Sequence, residues 1–122
     1  MPNNTEKGNR GEELAVNYLI KNAYSILEKN WRSQHLELDI VAFKDNTLVI
    51  VEVKMRAGDS HGKPEDFVSL KKQKNTIKAT NAYIIEKNID FETRFDIISI
   101  IENSFETIIE HITGAFYPTL KK

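Results

Sequence analysis

Two acidic residues and a lysine fall within two neighbouring apolar segments. Asp39 lies in Leu36 to Phe43, while Glu52 and Lys54 lie in Thr47 to Lys54. Carboxylates held close together repel each other, and a hard divalent cation that takes oxygen ligands relieves that repulsion. Such a cation activates water, and a neighbouring ammonium group stabilises charge that develops on a phosphoryl oxygen. These residue types therefore suit hydrolysis of phosphodiesters.

The segment between the two apolar runs predicts a β-hairpin that brings these side chains together. Asp45-Asn46 is turn chemistry, because both residue types tolerate positive φ. With these two residues as the loop, Lys44 pairs with Thr47, and the register continues to Asp39 opposite Glu52 and to Glu37 opposite Lys54. Directly opposed Cβ atoms lie about 4.5–5.5 Å apart. The register thus predicts a carboxylate pair on one face of the sheet.

The other residues of the hairpin indicate that both of its faces are buried. Alternation gives one face that is wholly apolar and one that is apolar near the turn and charged at its far end. The apolar face pairs Leu38 with Val53, Ile40 with Val51 and Ala42 with Val49; the other face begins with Phe43–Leu48 and Val41–Ile50. Two alternatives remain: an acidic edge strand that prevents aggregation, or an ordinary Lys54–Glu37 ion pair. The apolar neighbours favour a buried pair.

Glu12 supplies a third candidate carboxylate. The spacing predicts a helix over Asn9 to Asn22 with an apolar stripe, and Glu12 falls on that stripe whereas Glu13 faces the opposite side. The alternative is that Glu12 merely complements the helix dipole in the first turn. Together with the hairpin acids, Glu12 is interpreted as a further metal ligand or a water-binding acid.

Basic residues after the hairpin are candidates for binding a nucleic-acid backbone. They are Arg56 and Lys63 in a predicted loop, and Lys71, Lys72, Gln73, Lys74 and Lys78 in a predicted helix. The alternative is a solvated helix face. His35, His61 and His111 lack ligand spacing and are interpreted as non-ligands.

The remaining pattern predicts one mixed α/β domain. Residues 1–7 are expected to be a flexible tail, and residues 8–122 a single domain with the order α-β-β-β-α-β-β. The predicted elements are the helix at 9–22, strands at 24–31, 36–43 and 47–54, a loop at 56–64, a helix at 65–87, and strands at 94–101 and 105–112.

The composition limits the classes of function. The 122 residues include no cysteine and carry a net charge of −1, so disulfides and thiolate metal sites are excluded. The chain contains no apolar run long enough to span a bilayer. We expect a cytoplasmic protein with no membrane partner.

These motifs resemble a known family. Asp39 followed by Val51-Glu52-Val53-Lys54 is similar to the PD-(D/E)xK nuclease signature, with Leu38 in place of the usual proline. The wider set resembles the UPF0102 (YraN-like) family over about residues 8 to 116: Gly8-x-x-Gly11-Glu12-x-x-Ala15, Glu37-Leu38-Asp39-Ile40, Val51-Glu52-Val53-Lys54-x-Arg56, Lys72-Gln73, Arg94-Phe95-Asp96, and His111-Ile112 with Ala115-Phe116.

The resemblance implies a restriction-endonuclease-like mixed sheet flanked by helices, close to the Holliday-junction resolvases. Carried over by motif, the catalytic set is Glu12, Asp39, Glu52 and Lys54. Mg²⁺ or Mn²⁺ would be held by Asp39, Glu52, the backbone carbonyl of Val53 and, as a further ligand, Glu12. The implied partner is nucleic acid, DNA before RNA and including branched DNA, and a homodimer is an option by analogy. A non-catalytic nucleic-acid-binding module and an interaction protein are the alternatives.

Overall fold

A computed structural model of the chain describes residues 4–57 and 68–118. Its element order is α-β-β-β-α-β-β, which confirms the predicted order. The elements are α1 (Asn4–Lys21), β1 (Ser25–Ser33), β2 (Leu36–Lys44), β3 (Thr47–Ala57), α2 (Leu70–Lys87), β4 (Glu92–Glu102) and β5 (Thr107–Phe116). None of the helices in the described ranges is long and apolar enough to cross a membrane.

The strands form one mixed sheet in the order β1-β2-β3-β4-β5. Neighbouring strands are antiparallel except β3 and β4, which are parallel. Two parallel strands need a crossover connection, and α2 lies within it. Because β2 and β3 are interior strands, the acids on them do not serve to protect a sheet edge.

A helix covers each face of the sheet, which explains why both faces of the hairpin are apolar. On the α1 side, Ala15 and Leu19 pack with Ile40 and Val51. On the α2 side, Ala79 and Tyr83 pack with other strand residues, including Val41, Leu48 and Ile50. The alternating strand pattern therefore builds two separate apolar layers.

The predicted hairpin turn and register are confirmed near the loop. Asp45 and Asn46 have φ values of 51° and 60°, as a two-residue type I′ turn requires. The ladder runs from Lys44–Thr47 to Ile40–Val51 without a shift.

On the side of Ile40 away from the hairpin turn, the predicted alternation of side chains between the two faces of the sheet is wrong. Leu38 packs in the α2-side cluster with Val41, whereas Val53 packs against the α1-side cluster. Leu38 and Val53 are not ladder partners. On β1, Asn30 has a φ of 52° beside this break, which departs from extended strand geometry. The two strands therefore separate from regular pairing at Asp39.

Several predicted boundaries also differ. α1 begins at Asn4 rather than Asn9, and it includes part of the predicted tail. The added residues at 4–8 contain no large apolar side chain and so add nothing to the apolar stripe by which the pattern recognised the helix. β3 continues to Ala57, so Arg56 lies in a strand rather than a loop.

The second helix begins later than predicted. Ser69 is the N-cap of α2, and its side chain accepts a hydrogen bond from the backbone N–H of Lys72 at 3.1 Å. The predicted start at Glu65 lies outside the described residues, but residues 68 and 69 are not helical. The predicted end is confirmed, because Asn88 closes the helix in the left-handed conformation.

Candidate active site

Where β2 and β3 separate, the side-chain carboxylate of Asp39 takes the place of a backbone hydrogen-bond acceptor. The backbone N–H of Val53 donates to Asp39 Oδ2 at 3.0 Å. In a regular antiparallel ladder, that N–H would bond to the backbone of Leu38. The N–H and C=O of one strand residue point towards the same neighbouring strand. The Val53 carbonyl therefore faces the Asp39 side, as its predicted role as a metal ligand requires.

The carboxyl groups of Asp39 and Glu52 influence each other: a hydrogen bond with Glu52 lowers the pKa of Asp39, and the charge of Asp39 raises the pKa of Glu52. Glu52 is only 5% exposed. Burial raises the pKa of Glu52 to about 8, and the negative charge of Asp39 contributes to this rise. Burial also raises the pKa of Asp39, although the N–H of Val53 opposes that effect. The two carboxyl groups therefore interact although Asp39 and Glu52 are not the ladder partners that the register predicted, and the protein environment disfavours ionisation of both.

Two lysines lie near this acid pair. Lys72 Nζ, on α2, is 3.6 Å from Glu52 Oε1. Lys54 is half-buried on β3, two residues after Glu52, and its charge lowers the pKa of Glu52. Glu37 forms its ion pair with Arg32 at 3.2 Å, so the alternative Lys54–Glu37 pair is not formed.

Glu12 approaches the pair from the α1 side of the sheet. Gly11 makes this close approach feasible, because a Cβ there would lie 3.3 Å from Met55 Cβ on β3. Burial raises the pKa of Glu12, a hydrogen bond with Asn30 lowers it, and the charge of Asp39 raises it again. Glu12 thus senses Asp39 electrostatically. The described ranges contain no group of three acidic, histidine or cysteine side chains close enough to share a metal ion.

The donor set fits a hard divalent cation. The residues brought together offer two carboxyl groups and the Val53 carbonyl, all of them oxygen donors. Mg²⁺ in proteins is held by one or two carboxylates and keeps several waters, so a third protein carboxylate is not required. A bound cation would also relieve the repulsion between the two carboxylates.

Comparison with known proteins places these residues in a family. A family model described as "Uncharacterised protein family UPF0102" matches residues 11–100. A UPF0102 protein of Christiangramia forsetii is 49% identical over 117 residues, which cover 96% of this chain and 98% of the relative. A UPF0102 protein of Bacteroides thetaiotaomicron is 48% identical over 120 residues, covering 98% and 99%. The chain belongs to the UPF0102 family.

The UPF0102 match includes all the predicted catalytic positions, and the resemblance drawn from the motifs is confirmed at the family level. The match covers Glu12, Asp39, Glu52 and Lys54. The names of these two relatives give the family and no activity.

The predicted nucleic-acid-binding residues of this UPF0102 protein occupy different environments. Lys71, Lys74 and Lys78 are exposed on α2. Gln73 donates from its side-chain amide to the carbonyl of Val68 at 3.0 Å, which ties it to the start of the helix. Lys63 lies outside the described residues.

Arg56 differs most from its predicted setting. It is half-buried in β3, and its Nη2 donates to Ser99 Oγ on β4 at 3.0 Å. The prediction placed it in a loop because the apolar pattern of β3 ends near Lys54. The parallel ladder with β4 continues past that point to Ala57–Glu102, and this pairing holds Arg56 in the sheet.

Sequence reasoning missed a second polar cluster, built around Asp96 of β4. Asp96 is 0% exposed and accepts hydrogen bonds from Arg94, from His111 Nε2 at 2.7 Å and from the N–H of Gly114 at 3.0 Å. His111 also lies 3.2 Å from the hydroxyl of Tyr18, on α1. The recorded side-chain contacts of His111 are therefore with Asp96, Tyr18 and Tyr24. The Arg94-Phe95-Asp96 motif was the available signal, but it did not identify partners so far away in the sequence.

Proposed function

We propose that this UPF0102 protein is a divalent-metal-dependent endonuclease that hydrolyses nucleic-acid phosphodiesters, with DNA, including branched DNA, as the favoured substrate. The observation that carries the proposal is the pairing of the buried Glu52 with the half-buried Asp39 on two interior strands. Burial of such a pair is unfavourable for a purely structural role, because apolar residues of similar size would avoid the desolvation penalty. Strongly shifted carboxyl groups beside positive charges are typical of functional sites.

Asp39, Glu52 and the Val53 carbonyl would hold Mg²⁺ or Mn²⁺. The hydrogen bond from the Val53 N–H fixes the Asp39 carboxylate, while burial restricts Glu52. When bound, the cation supplies Lewis-acid stabilisation of a phosphoryl oxygen and a more acidic water. Glu12, on the α1 side, would orient water near the pair, and Lys54 would donate a hydrogen bond to the attacking water or to a phosphate oxygen.

A cleavage panel tests this function. The substrates are linear duplex, single strand, flap and four-way junction, each with Mg²⁺ and with Mn²⁺. We compare wild type with Asp39→Asn, in which the amide oxygen can still accept from Val53 N–H. Glu13→Gln is the matched control, because Glu13 is exposed on α1. We expect Asp39→Asn to lose about 100-fold or more in rate and Glu13→Gln to retain activity.

A lysine variant separates catalysis from binding. Lys54→Met should abolish cleavage while nucleic-acid affinity changes little, because the proposed role of Lys54 is in the chemical step. Binding without cleavage by the wild type would favour the non-catalytic module. Equal cleavage by wild type and Asp39→Asn would assign the activity to a contaminant and overturn the proposal.

A further inference from the structure

The Lys72 ammonium group occupies the place next to the acid pair where positive charge is most needed. Its Nζ lies 3.6 Å from Glu52 Oε1, and its charge lowers the pKa of both Glu52 and Asp39. In the described part of the chain, it is the only lysine or arginine within ion-pair distance of Glu52. Lys72 is therefore the nearest counter-ion of the pair.

A divalent cation bound by these carboxylates would repel the Lys72 ammonium and compete with it for the same negative charge. Like charges a few ångströms apart repel by several kcal/mol at an effective dielectric constant of about 20. The Lys72 side chain is 32% exposed, whereas that of Glu52 is 6% exposed. A lysine has a flexible four-carbon stem, so its ammonium can move into solvent while the helix stays in place. The backbone is fixed, because the Lys72 N–H donates to the Ser69 cap.

We propose that Lys72 is a built-in competitor of the divalent cation: its ammonium neutralises the Asp39–Glu52 pair when the metal is absent and withdraws when the metal binds. This inference rests on the proposed function, since it assumes a cation at that pair. It assigns Lys72 a role in setting metal affinity, in addition to any contact with phosphate. It also explains how the fold tolerates the acid pair before metal binding.

Removing the Lys72 ammonium raises the affinity of the two carboxylates both for a proton and for the metal ion. The metal carries two charges and the proton one, so the loss of a neighbouring positive charge favours the metal more. Metal affinity should therefore increase in a variant without the lysine charge, even though Glu52 also becomes harder to ionise.

The experiment is a titration with Mg²⁺ at pH 8.5 without nucleic acid. Isothermal calorimetry measures the binding constant, and the melting temperature is recorded with and without Mg²⁺. The variants are Lys72→Met, Lys72→Arg and Asp39→Asn, with Lys21→Met as the control because Lys21 is exposed in the last turn of α1. We expect Lys72→Met to bind about three- to tenfold more tightly than wild type. Without metal it should also melt at a lower temperature, whereas Lys72→Arg and Lys21→Met should stay near the wild-type values.

The outcomes separate this inference from the proposed function. If wild type binds Mg²⁺, Asp39→Asn does not, and Lys72→Met binds no more tightly, the competition is wrong and the cation site stands. If neither wild type nor Lys72→Met binds, both proposals are wrong. Circular dichroism establishes that each variant is folded. Should Lys72→Met fail to fold, Lys72→Gln takes its place with the same expected tightening.

Discussion

Glu52 is a buried carboxyl group whose ionisation lowers the stability of the fold. Its pKa rises from an ordinary value of 4.5 to about 8, because burial and the charge of Asp39 disfavour the carboxylate. Between these two values, the folded protein keeps a proton that the unfolded chain has released. The free energy of unfolding therefore falls as the pH rises through this window, and it stays lower above the window. An uncharged residue of the same shape would avoid this loss.

Substitution of that carboxyl group by an amide should reveal the cost. We expect Glu52→Gln to match wild type near pH 5 and to exceed its free energy of unfolding by about 1–3 kcal/mol at pH 8.5 without metal. Urea unfolding across this pH range measures the difference. Glu92→Gln is the control, because Glu92 is exposed on β4. Parallel pH profiles for wild type and Glu52→Gln would contradict the interpretation.

The elements of the sheet were predictable where local pattern dictates them. Alternating apolar residues defined β2 and β3, and Asp45-Asn46 fixed their register because that turn needs positive φ. The end of the ladder was not predictable, since it depends on a side chain replacing a backbone acceptor of Val53. The approach of Lys72 was also hidden. Helical spacing gives the face of α2 that a residue occupies, but the position of the helix over the sheet follows from tertiary packing.

Asp96 links β4 to β5 and, through His111, to α1 by polar contacts. It accepts from Arg94 on its own strand, from two groups on β5, and through His111 it reaches Tyr18 of α1. The β4–β5 register shifts between Phe95 and Ile97, beside Asp96. Where the regular pairing of β4 with β5 is interrupted, the Asp96 carboxylate thus accepts a hydrogen bond from the backbone N–H of Gly114.

Loss of the Asp96 charge should destabilise the fold. Burial raises the pKa of Asp96, but hydrogen bonds from His111, Arg94 and Gly114 together lower it below 3.8. Its contribution to stability is therefore present above about pH 4 and is lost as the pH falls through the lower folded value. We expect Asp96→Asn to lose about 2–4 kcal/mol at pH 7 and less below pH 4.

Urea unfolding at both pH values measures this difference, with the exposed Asp90 as the control in Asp90→Asn. A loss that stays the same at low pH would show that the shape of the asparagine, rather than the missing charge, causes the effect. The Glu52 and Asp96 profiles have opposite signs. One acid destabilises the fold when it ionises, whereas the other stabilises it.

At the scale of the whole molecule, charge distribution matters more than net charge. A net charge of −1 gives no general attraction to a polyanion. Lys71, Lys74 and Lys78 are nevertheless exposed on α2, the helix that also carries Lys72 to the acid pair. A phosphate backbone held along this helix would pass beside the proposed metal site.

These exposed lysines make a quantitative prediction about binding to DNA. Each phosphate contact releases counterions, so the logarithm of the binding constant falls with the logarithm of salt concentration by about 0.9 per contact. In the cleavage-deficient Asp39→Asn background, we expect Lys71→Gln, Lys74→Gln and Lys78→Gln each to reduce this slope by about 1. Lys21→Gln should leave the slope unchanged, because Lys21 is exposed at the end of the other helix. Fluorescence anisotropy at several salt concentrations measures the slope. Four equal slopes would place the nucleic-acid backbone elsewhere on the molecule, since only a contact made by α2 distinguishes these lysines from Lys21.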